Sequence, residues 1–307
     1  MTSHPKISIV GVPKGGTTSL HCWLERLQGV NAATPKETFY FMDLDNPQCN
    51  PSSNFHKNSG QGYEKYFKGT LDALTLDSTT HYFYQQTAID CFSKSGTKVC
   101  AVLRDPVRRL VSYFNYVGIS RGAFKQPIDF TEFTEHLLSE NMHTLRDRFT
   151  SEVEFFTLET ALDQGEYVKY VERWQEKISP ENFRVMIFED LVSDRDSFLI
   201  ELGSFFGLKI SDDDLNLFEV QNESRTVRFP VVNRVLRSAS SLLRAMPFFE
   251  TLRKKYHQVQ GGEPIKFDWD QHAQAIECLY EHYKPLNNRL SELIGVDLDH
   301  WQQNSTN

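Results

Sequence analysis

The chain has 307 residues, enough for one large α/β domain or two small ones, and its composition of 39% hydrophobic and 24% charged residues is typical of a soluble globular protein. Its net charge of −8 at pH 7 disfavours a protein that binds nucleic acid or another polyanion by general electrostatic attraction. The five cysteines show no C-x-x-C spacing, which disfavours a zinc ribbon or a disulfide framework and favours a reducing compartment.

Targeting and membrane signals are weak throughout the sequence. The first residues lack a signal-peptide core, and no apolar run approaches the ~20 residues needed to span a bilayer. We therefore expect a cytoplasmic protein with no membrane partner. No internal repeat or low-complexity linker divides the sequence, so we expect a single domain over residues 1–307. Nothing in the sequence indicates the oligomeric state.

The first motif is ISIVGVPKGGTTSL, residues 7–20. Its apolar start predicts a short buried strand, its glycines a sharp turn, and its hydroxyl residues the start of a helix. Backbone N–H groups at a helix start, together with the helix dipole, favour a phosphate, and glycines let the backbone approach it closely. We therefore predict a phosphate-binding loop in which Lys14 supplies a mobile positive charge. The alternative is a tight turn in which Thr17 or Thr18 caps the helix.

The residue order in this loop differs from that of a Walker loop, in which the lysine follows the last glycine. Here Lys14 precedes Gly15 and Gly16. A P-loop-like kinase or NTPase is still a rival interpretation. It would need the lysine on the other side of the glycines, a Walker B carboxylate and magnesium. A nucleotide-binding module without catalysis is a second rival, which would need no catalytic base.

The next dense segment is TPKETFYFMD, residues 34–43. Pro35 breaks any helix, and the aromatic residues 39–41 are expected to pack against the core. Burial beside these aromatics would raise the pKa of Glu37 and prepare it as a general base. A surface ion pair between Lys36 and Glu37 is the alternative.

A polar stretch, residues 44–62, predicts a long surface loop before the next strand. Residues 77–80 are expected at the carboxyl end of a second strand, where ligand sites gather in α/β sheets. His81 follows them and is a rival base, because the unperturbed pKa of histidine, near 6.5, suits base catalysis at neutral pH. A packed or exposed histidine without a catalytic role is the alternative.

A third motif begins with the apolar strand KVCAVLR, which ends in Arg104, and continues as DPVRRLVSYF, so that it spans residues 98–114. Asp105 is a good N-cap, and Pro106 occupies the favoured first helical position. Arg104 at the end of the strand and Ser112 on the helix are predicted to converge on one anion, to which an arginine offers a bidentate fork. The alternative is a capped amphipathic helix with solvated arginines.

The rest of the sequence predicts further helices and one more strand. Helices are expected in FTEFTEHLLSE, in residues 165–174 and in residues 197–208, and a strand in residues 183–188. The C-terminal third is expected to be mostly helical, with a break at Gly261 and Gly262.

The loop PKGGTTSL and the motif R-D-P-x-x-R-x-x-S-x-[YF] together resemble the donor-binding motifs of sulfotransferases that use 3′-phosphoadenosine 5′-phosphosulfate. They stand in the right order, about ninety residues apart. The resemblance implies a P-loop-like α/β fold with a central parallel sheet flanked by helices and a helical C-terminal part. It also implies that Arg104 and Ser112 hold the 3′-phosphate. The residues that would hold the 5′-phosphosulfate are Lys14, Gly15, Gly16, Thr17, Thr18 and Ser19.

Weaker similarities extend to carbohydrate-type and bacterial members of this family. Segments like K-E-x-x-F-F recur in the carbohydrate-type enzymes, where the glutamate is the proposed base, whereas cytosolic members that act on small molecules use a histidine. The family's E-K-T-P-x-Y-F segment has a lysine where this chain has Ser78, so one expected sulfate contact is missing or supplied from elsewhere. The segment NESRTVRFP stands where the family has a basic loop with a glycine, and Arg225 and Arg228 are candidates for that loop's role or are simply solvated.

The resemblance implies sulfuryl transfer to a hydroxyl or amine, with adenosine 3′,5′-bisphosphate as product and no metal. Lys14 would stabilise the leaving phosphate, and Glu37 would remove the acceptor proton, with His81 as its rival. Ser78 and the charge of −8 argue against a heparan-like polyanion. We therefore expect a small polar molecule as the acceptor, with a carbohydrate acceptor as the alternative and no nucleic-acid partner.

Overall fold

The computed structural model of the protein describes residues 4–50, 52–58, 61–68, 73–221, 225–227 and 261–302, with only the backbone for 225–227 and 261–264. The chain divides into two compact units. The first comprises residues 1–109, 164–222 and 280–307, and the second comprises residues 110–163 and 223–279. The single domain expected over residues 1–307 stays a prediction.

A five-stranded parallel sheet forms the centre of the first unit. Neighbouring strands pair in the order β2-β3-β1-β4-β5, and each of the four pairs is parallel. The strands are β1 (Ile7–Gly11), β2 (Val30–Ala32), β3 (Leu74–Asp77), β4 (Lys98–Leu103) and β5 (Phe183–Ile187).

The helices of the described residues follow in chain order. They are α1 (Thr17–Arg26), α2 (Phe55–Asn58), α3 (Gln86–Ser95), α4 (Pro106–Phe114), α5 (Phe130–Leu138), α6 (Glu152–Glu159), α7 (Tyr167–Lys177), α8 (Phe188–Ser193), α9 (Arg195–Phe206), α10 (Asp212–Asn216) and α11 (Ala273–Ile294). Short 3₁₀ segments lie at Tyr63–Tyr66, Thr80–Tyr84, Met142–Arg148, Asp163–Gly165 and Asp299–Gln302, and a π-helical turn at Asn115–Ser120.

Two hydrophobic clusters cover the two faces of the parallel sheet. Along β4, Val99 and Ala101 belong to one cluster while Cys100 and Val102 belong to the other, and this alternation places the clusters on opposite faces. Helices α3 and α7 pack in the first cluster, and α1 and α9 in the second. The predicted α/β class with a central parallel sheet flanked by helices is therefore confirmed.

The element bounds differ from the sequence predictions by a few residues at several places, and two of the differences have a clear cause. The strand ending at Asp77 is third in the chain, because the three-residue strand β2 is too short for a recognisable pattern. Helix α9 begins at Arg195, since the Asp194 carboxylate accepts a hydrogen bond from the Ser197 N–H, and it ends before Gly207, whose φ is 81°.

The second unit contains α5, α6 and a short antiparallel pair, β6 (Arg225–Val227) with β7 (Gly261–Pro264). Helix α5 confirms the predicted FTEFTEHLLSE helix, and Asp129 caps it by accepting from the Thr131 N–H. The expected break at residues 261–262 lies in β7. Within the described ranges, no helix combines the length and the apolar composition that crossing a membrane requires.

Candidate active site

Three neighbouring strands bring the candidate residues to one edge of the sheet. Strands β3, β1 and β4 run parallel, so their carboxyl ends lie at the same edge. The glycine-rich loop follows β1, residues 78–81 follow β3, and Arg104 follows β4. Strand order reverses around β1, and such a switch point is where open α/β sheets bind ligands.

We call residues 14–19, which form the turn after β1 and the first residues of α1, the anion-binding loop after their predicted role, and their conformation depends on two glycines. A Cβ on Gly15 would lie 2.9 Å from the Val102 carbonyl oxygen, and a Cβ on Gly16 would lie 2.8 Å from the Phe188 ring. Gly16 has a φ of 75° and Lys14 a φ of 72°, both in the left-handed region. These contacts explain why glycine stands at both positions.

Helix α1 begins within this segment, at Thr17, with no side-chain cap. Its N-cap residue is Gly16, which has no side chain. Within the described residues, no side-chain capping hydrogen bond is made at this helix start. The hypothesis that Thr17 or Thr18 caps the helix is therefore wrong. An uncapped helix start that follows a tight glycine turn fits a phosphate or sulfate group.

Arg104 lies against the anion-binding loop. Its Nη1 donates to the Lys14 carbonyl oxygen at 3.0 Å, and its guanidinium carbon lies 4.8 Å from the centre of the Phe188 ring. The Tyr167 hydroxyl donates to the Arg104 carbonyl oxygen at 2.8 Å. Arg104 Nε is buried, and nothing in the described part of the chain accepts its proton. A buried orphaned donor beside the loop fits an anionic ligand.

The charges around the loop also favour an anion. Burial and then the positive charge of Arg104 lower the pKa of Lys14 to about 8. Burial likewise lowers the pKa of Arg104. A bound anion would oppose both shifts, because an opposite charge stabilises the protonated forms. The residues present therefore fit the phosphosulfate end of the expected donor.

Glu37 lies beside Lys36 and the residues that follow β3. Lys36 Nζ lies 3.0 Å from Glu37 Oε1, so the predicted ion pair exists, and the Thr80 hydroxyl donates to the same oxygen at 3.3 Å. Burial acts to raise the pKa of Glu37, but the charges of Lys36 and His81 and the hydrogen bonds from Lys36 and Thr80 act more strongly, so the pKa is lowered.

The expectation of a raised pKa at Glu37 is therefore wrong, and the aromatic residues explain why. Tyr40 and Phe41 are fully buried and belong to a core cluster, as predicted, while the partly buried Phe39 packs against it. The Glu37 carboxylate instead faces Lys36 and His81. At neutral pH Glu37 is consequently ionised.

His81 lies next to Glu37, so the structure brings the two rival bases together. The His81 Nδ1 is 3.5 Å from the Thr80 hydroxyl oxygen, and its ring centre is 5.7 Å from that of Phe39. A threonine hydroxyl has one proton. When Thr80 donates that proton to Glu37, it can only accept from His81, which makes Nδ1 the protonated nitrogen in that arrangement.

Asp77 is a buried hydrogen-bond acceptor that the sequence analysis did not single out. Its fully buried carboxylate accepts from the hydroxyls of Thr38 and Tyr63 at 2.7 Å each, and from the N–H and hydroxyl of Thr79 at 2.9 and 2.7 Å. These bonds join the segment that carries Glu37 to the end of β3. The signal in the sequence was an acidic residue at a strand end, followed directly by hydroxyl residues.

Ser78, which stands where a lysine was expected, is turned toward α1. Its hydroxyl lies 2.9 Å from His21 Nδ1. Burial and the charge of Lys36 lower the pKa of His21 to about 4, so this histidine is neutral at physiological pH. The Lys36 ammonium, which donates to the Ser78 carbonyl oxygen at 3.2 Å, supplies positive charge at this position.

The structure also describes two residues of the RDP motif, Asp105 and Ser112. Asp105 caps α4 as predicted, because Oδ1 accepts from the N–H groups of Val107 and Arg108 at 2.8 and 3.1 Å. Ser112 lies in α4 within the second unit, and its convergence with Arg104 stays a prediction.

The last predicted donor contacts involve residues 18–19 and two downstream arginines. Ser19 accepts from the Gln221 N–H at 2.9 Å, and Thr18 is half-buried. Arg225 lies in β6, with only its backbone described, and Arg228 lies outside the described residues. Among the described residues, no three His, Cys, Asp or Glu side chains are grouped to hold a metal ion, and a metal-free reaction stays a prediction.

Together these features define an α/β protein with the predicted anion-binding loop at the switch point of its sheet and with Glu37 and His81 beside it. A family model described as "Sulfotransferase domain" matches residues 4–229. The chain therefore belongs to the sulfotransferase family, and the family predicted from the two motifs is confirmed.

Individual relatives agree with this assignment. Human heparan sulfate glucosamine 3-O-sulfotransferase 3B1 is 25% identical over 297 residues, covering 95% of this chain but only 64% of that protein. Human heparan sulfate glucosamine 3-O-sulfotransferase 5 is 24% identical over 275 residues, covering 84% of this chain and 72% of that protein. A sulfotransferase structure from Alicyclobacillus acidocaldarius matches with a TM-score of 0.55 at 17% identity, covering 98% of this chain and 100% of that one, and it supports the fold.

Proposed function

We propose that this protein transfers a sulfuryl group from 3′-phosphoadenosine 5′-phosphosulfate to a hydroxyl or amine of an acceptor, without a metal ion. One observation carries the proposal. The Lys36 ammonium lies 3.4 Å from Thr17 Oγ1 in the anion-binding loop and 3.0 Å from Glu37 Oε1. The Lys36 side chain thus joins two parts of the site. One is the loop that fits an anion, and the other is a carboxylate that can accept a proton.

The donor-binding roles follow from charge and geometry. Lys14 and the start of α1 would bind the phosphosulfate and stabilise negative charge on the leaving oxygen. Arg104 and Ser112 would bind the 3′-phosphate, and Arg225 and Arg228 would cover the nucleotide. When bound, the donor supplies an activated sulfuryl group and leaves as adenosine 3′,5′-bisphosphate.

The base in this proposal is Glu37. Its lowered pKa keeps it ionised, and therefore able to accept a proton, at neutral pH. Thr80 fixes the oxygen that also contacts Lys36. His81 is the rival base, and it lies close enough to share the Thr80 hydroxyl with Glu37.

The acceptor is proposed to be a small polar molecule. The charge of −8 and the serine at position 78 support this class over a polyanion. The alternative is a carbohydrate, which the names of the human relatives favour. We also propose a cytoplasmic location and no nucleic-acid or membrane partner, supported by the net charge and by five cysteines that are all free thiols.

Nucleotide preference tests the proposed donor against the kinase or NTPase alternative. We expect calorimetry to show tighter binding of adenosine 3′,5′-bisphosphate than of adenosine 5′-phosphate, with no requirement for magnesium. Arg104→Ala should weaken binding of the bisphosphate at least about tenfold, because a charge-assisted hydrogen bond contributes roughly 1.5–3 kcal/mol.

Arg184→Ala is the control for this measurement, since Arg184 lies near the amino end of β5, opposite the edge of the sheet that carries the site, and pairs with Glu201. The nucleotide affinities of the two variants are compared once circular dichroism and thermal unfolding have shown that both are folded like the native protein. Equal affinity for the two adenosine nucleotides, or preference for ATP with magnesium, would contradict the proposed donor.

A further inference from the structure

Lys36 contacts its neighbour Glu37 and two segments that are distant from it in the sequence. Its ammonium lies 3.0 Å from Glu37 Oε1, 3.2 Å from the Ser78 carbonyl oxygen at the end of β3, and 3.4 Å from Thr17 Oγ1 at the start of α1. An ammonium has three N–H donors. A carboxylate, a carbonyl and a hydroxyl thus accept from all three.

The burial of Lys36 makes these contacts informative. Its side chain is 18% exposed, and lysines are rarely buried to this extent unless their charge is compensated. A plain ion pair with Glu37 would need only one of the three donors. The other two hold the ammonium between the carboxylate and the anion-binding loop.

The contact with Thr17 has a consequence for that hydroxyl. A hydroxyl that accepts from Lys36 must direct its own proton elsewhere. Thr17 is the first residue of α1, directly after Gly16, in the loop that fits an anion. Lys36 therefore prepares Thr17 as a hydrogen-bond donor at the mouth of that loop.

We propose that Lys36 is a positioning residue that couples donor binding to base catalysis, by holding Glu37 as a carboxylate and orienting the Thr17 hydroxyl toward the bound anion. The inference rests on the proposed function, because it assigns a role to Lys36 only if Glu37 is the base and residues 14–19 bind the donor. Lys36 acts through these neighbours and forms no bond to the reacting atoms.

The charged groups around Glu37 determine the sign of the expected effect. Lys36 faces it from its own segment, His81 from the segment after β3, and His21 from α1. His21 is neutral between pH 6 and 8, because its pKa is about 4. Without Lys36, the charge of His81 and the hydrogen bond from Thr80 still oppose the effect of burial, but the largest lowering contribution is gone, so the pKa of Glu37 should rise.

The direct test is a carboxyl-carbon NMR titration of Glu37 in the protein without nucleotide, with the signal assigned from Glu37→Gln. In Lys36→Met, we expect the pKa of Glu37 to rise by roughly one to three units, the range found for loss of a close opposite charge. Lys36→Gln keeps hydrogen-bond donors but no charge and should show the same rise. Lys36→Arg should stay within about half a unit of the native pKa.

The matched control is Lys169→Met. Lys169 pairs with Glu166 at 2.8 Å in α7, so its loss also breaks a lysine–glutamate pair, and it should leave the titration of Glu37 unchanged. An unchanged pKa of Glu37 in both Lys36→Met and Lys36→Gln would overturn the inference.

The pH profile of kcat/KM supplies a second readout. A carboxylate base is active only above its pKa, so a raised pKa moves the acidic limb of the profile to higher pH. The activity of Lys36→Met should therefore fall by up to about tenfold for each pH unit below its raised pKa, with a deficit relative to the native protein that shrinks as the pH rises. A deficit independent of pH would mean that Lys36 has a structural role only.

The failure of this inference can be told from the failure of the proposed function. If Glu37→Gln loses activity but Lys36→Met leaves the acidic limb in place, only the role of Lys36 is wrong. If Glu37→Gln keeps its activity, the assignment of the base is wrong, and the coupling proposed for Lys36 falls with it.

Discussion

Glu37→Gln is expected to lower turnover by roughly 10²–10⁴-fold, the range contributed by general base catalysis. Glutamine keeps the shape of the side chain and can still accept from Lys36 and Thr80, but it cannot take a proton from the acceptor. Binding of adenosine 3′,5′-bisphosphate should stay nearly unchanged. The measurements are steady-state kcat with a working acceptor and calorimetry with the product nucleotide.

His81→Asn should cost much less than Glu37→Gln. If Glu37 is the base, His81 donates toward Thr80 and contributes to the lowered pKa of Glu37, without itself receiving the acceptor proton. If His81→Asn abolishes turnover while Glu37→Gln retains most of it, the roles are reversed, and the site resembles that of the cytosolic small-molecule enzymes.

Glu166→Gln is a closely matched control for the Glu37 measurement. Glu166 also pairs with a lysine and a histidine, Lys169 at 2.8 Å and His282 at 3.2 Å. The side chains of Glu37 and Glu166 are 28% and 25% exposed. A general effect of removing a paired carboxylate would appear in both variants, whereas loss of a base appears only at Glu37.

Lys14→Ala should lower kcat by about 10²–10³-fold, the cost of removing one group that stabilises charge in the transition state. The effect on product binding should be smaller, because the charge on the leaving oxygen is greatest during transfer. Alanine at this position meets the same left-handed φ of 72° as lysine, so the backbone should change little. An unchanged kcat would remove Lys14 from the transition state.

The pH dependence of nucleotide binding separates the charge of Lys14 from its shape. The pKa of Lys14 in the free protein is about 8, and a bound anion raises it, so binding is favoured when Lys14 is protonated. Affinity should be full below pH 8 and fall by up to about tenfold per pH unit above it. Lys14→Arg should remove this alkaline loss, and Lys94→Ala, an exposed change at the end of α3, should keep it.

The sheet and the anion-binding loop were predictable because their signals are local. The sequence from β1 through Gly15 and Gly16 to α1 contains a strand pattern, a turn that requires glycine and a helix start within one short stretch. The Asp105–Pro106 pair likewise marks the start of α4 by itself. Local backbone preferences and apolar spacing, which the sequence displays directly, determine such elements.

The behaviour of Glu37 was less predictable, because it depends on contacts between distant segments. The sequence places three aromatics beside Glu37 and suggests a raised pKa. In the structure, the hydroxyls of Thr38 and Thr79 donate to the Asp77 carboxylate and set this segment against the end of β3, which brings His81 toward Glu37. The contacts of Lys36 with Thr17 and Ser78 arise in the same way, across 19 and 42 residues of sequence.

The release of adenosine 3′,5′-bisphosphate from 3′-phosphoadenosine 5′-phosphosulfate is the decisive measurement for the proposed sulfuryl transfer. It should be followed in the presence of a chelator, against a panel of small polar acceptors, amines and carbohydrates. We predict acceptor-dependent release with stoichiometric sulfation of at least one acceptor, and a loss of this activity in Lys14→Ala and Glu37→Gln. Tight binding of the product nucleotide without any acceptor-dependent release would contradict the proposed function and favour a nucleotide-binding module without catalysis.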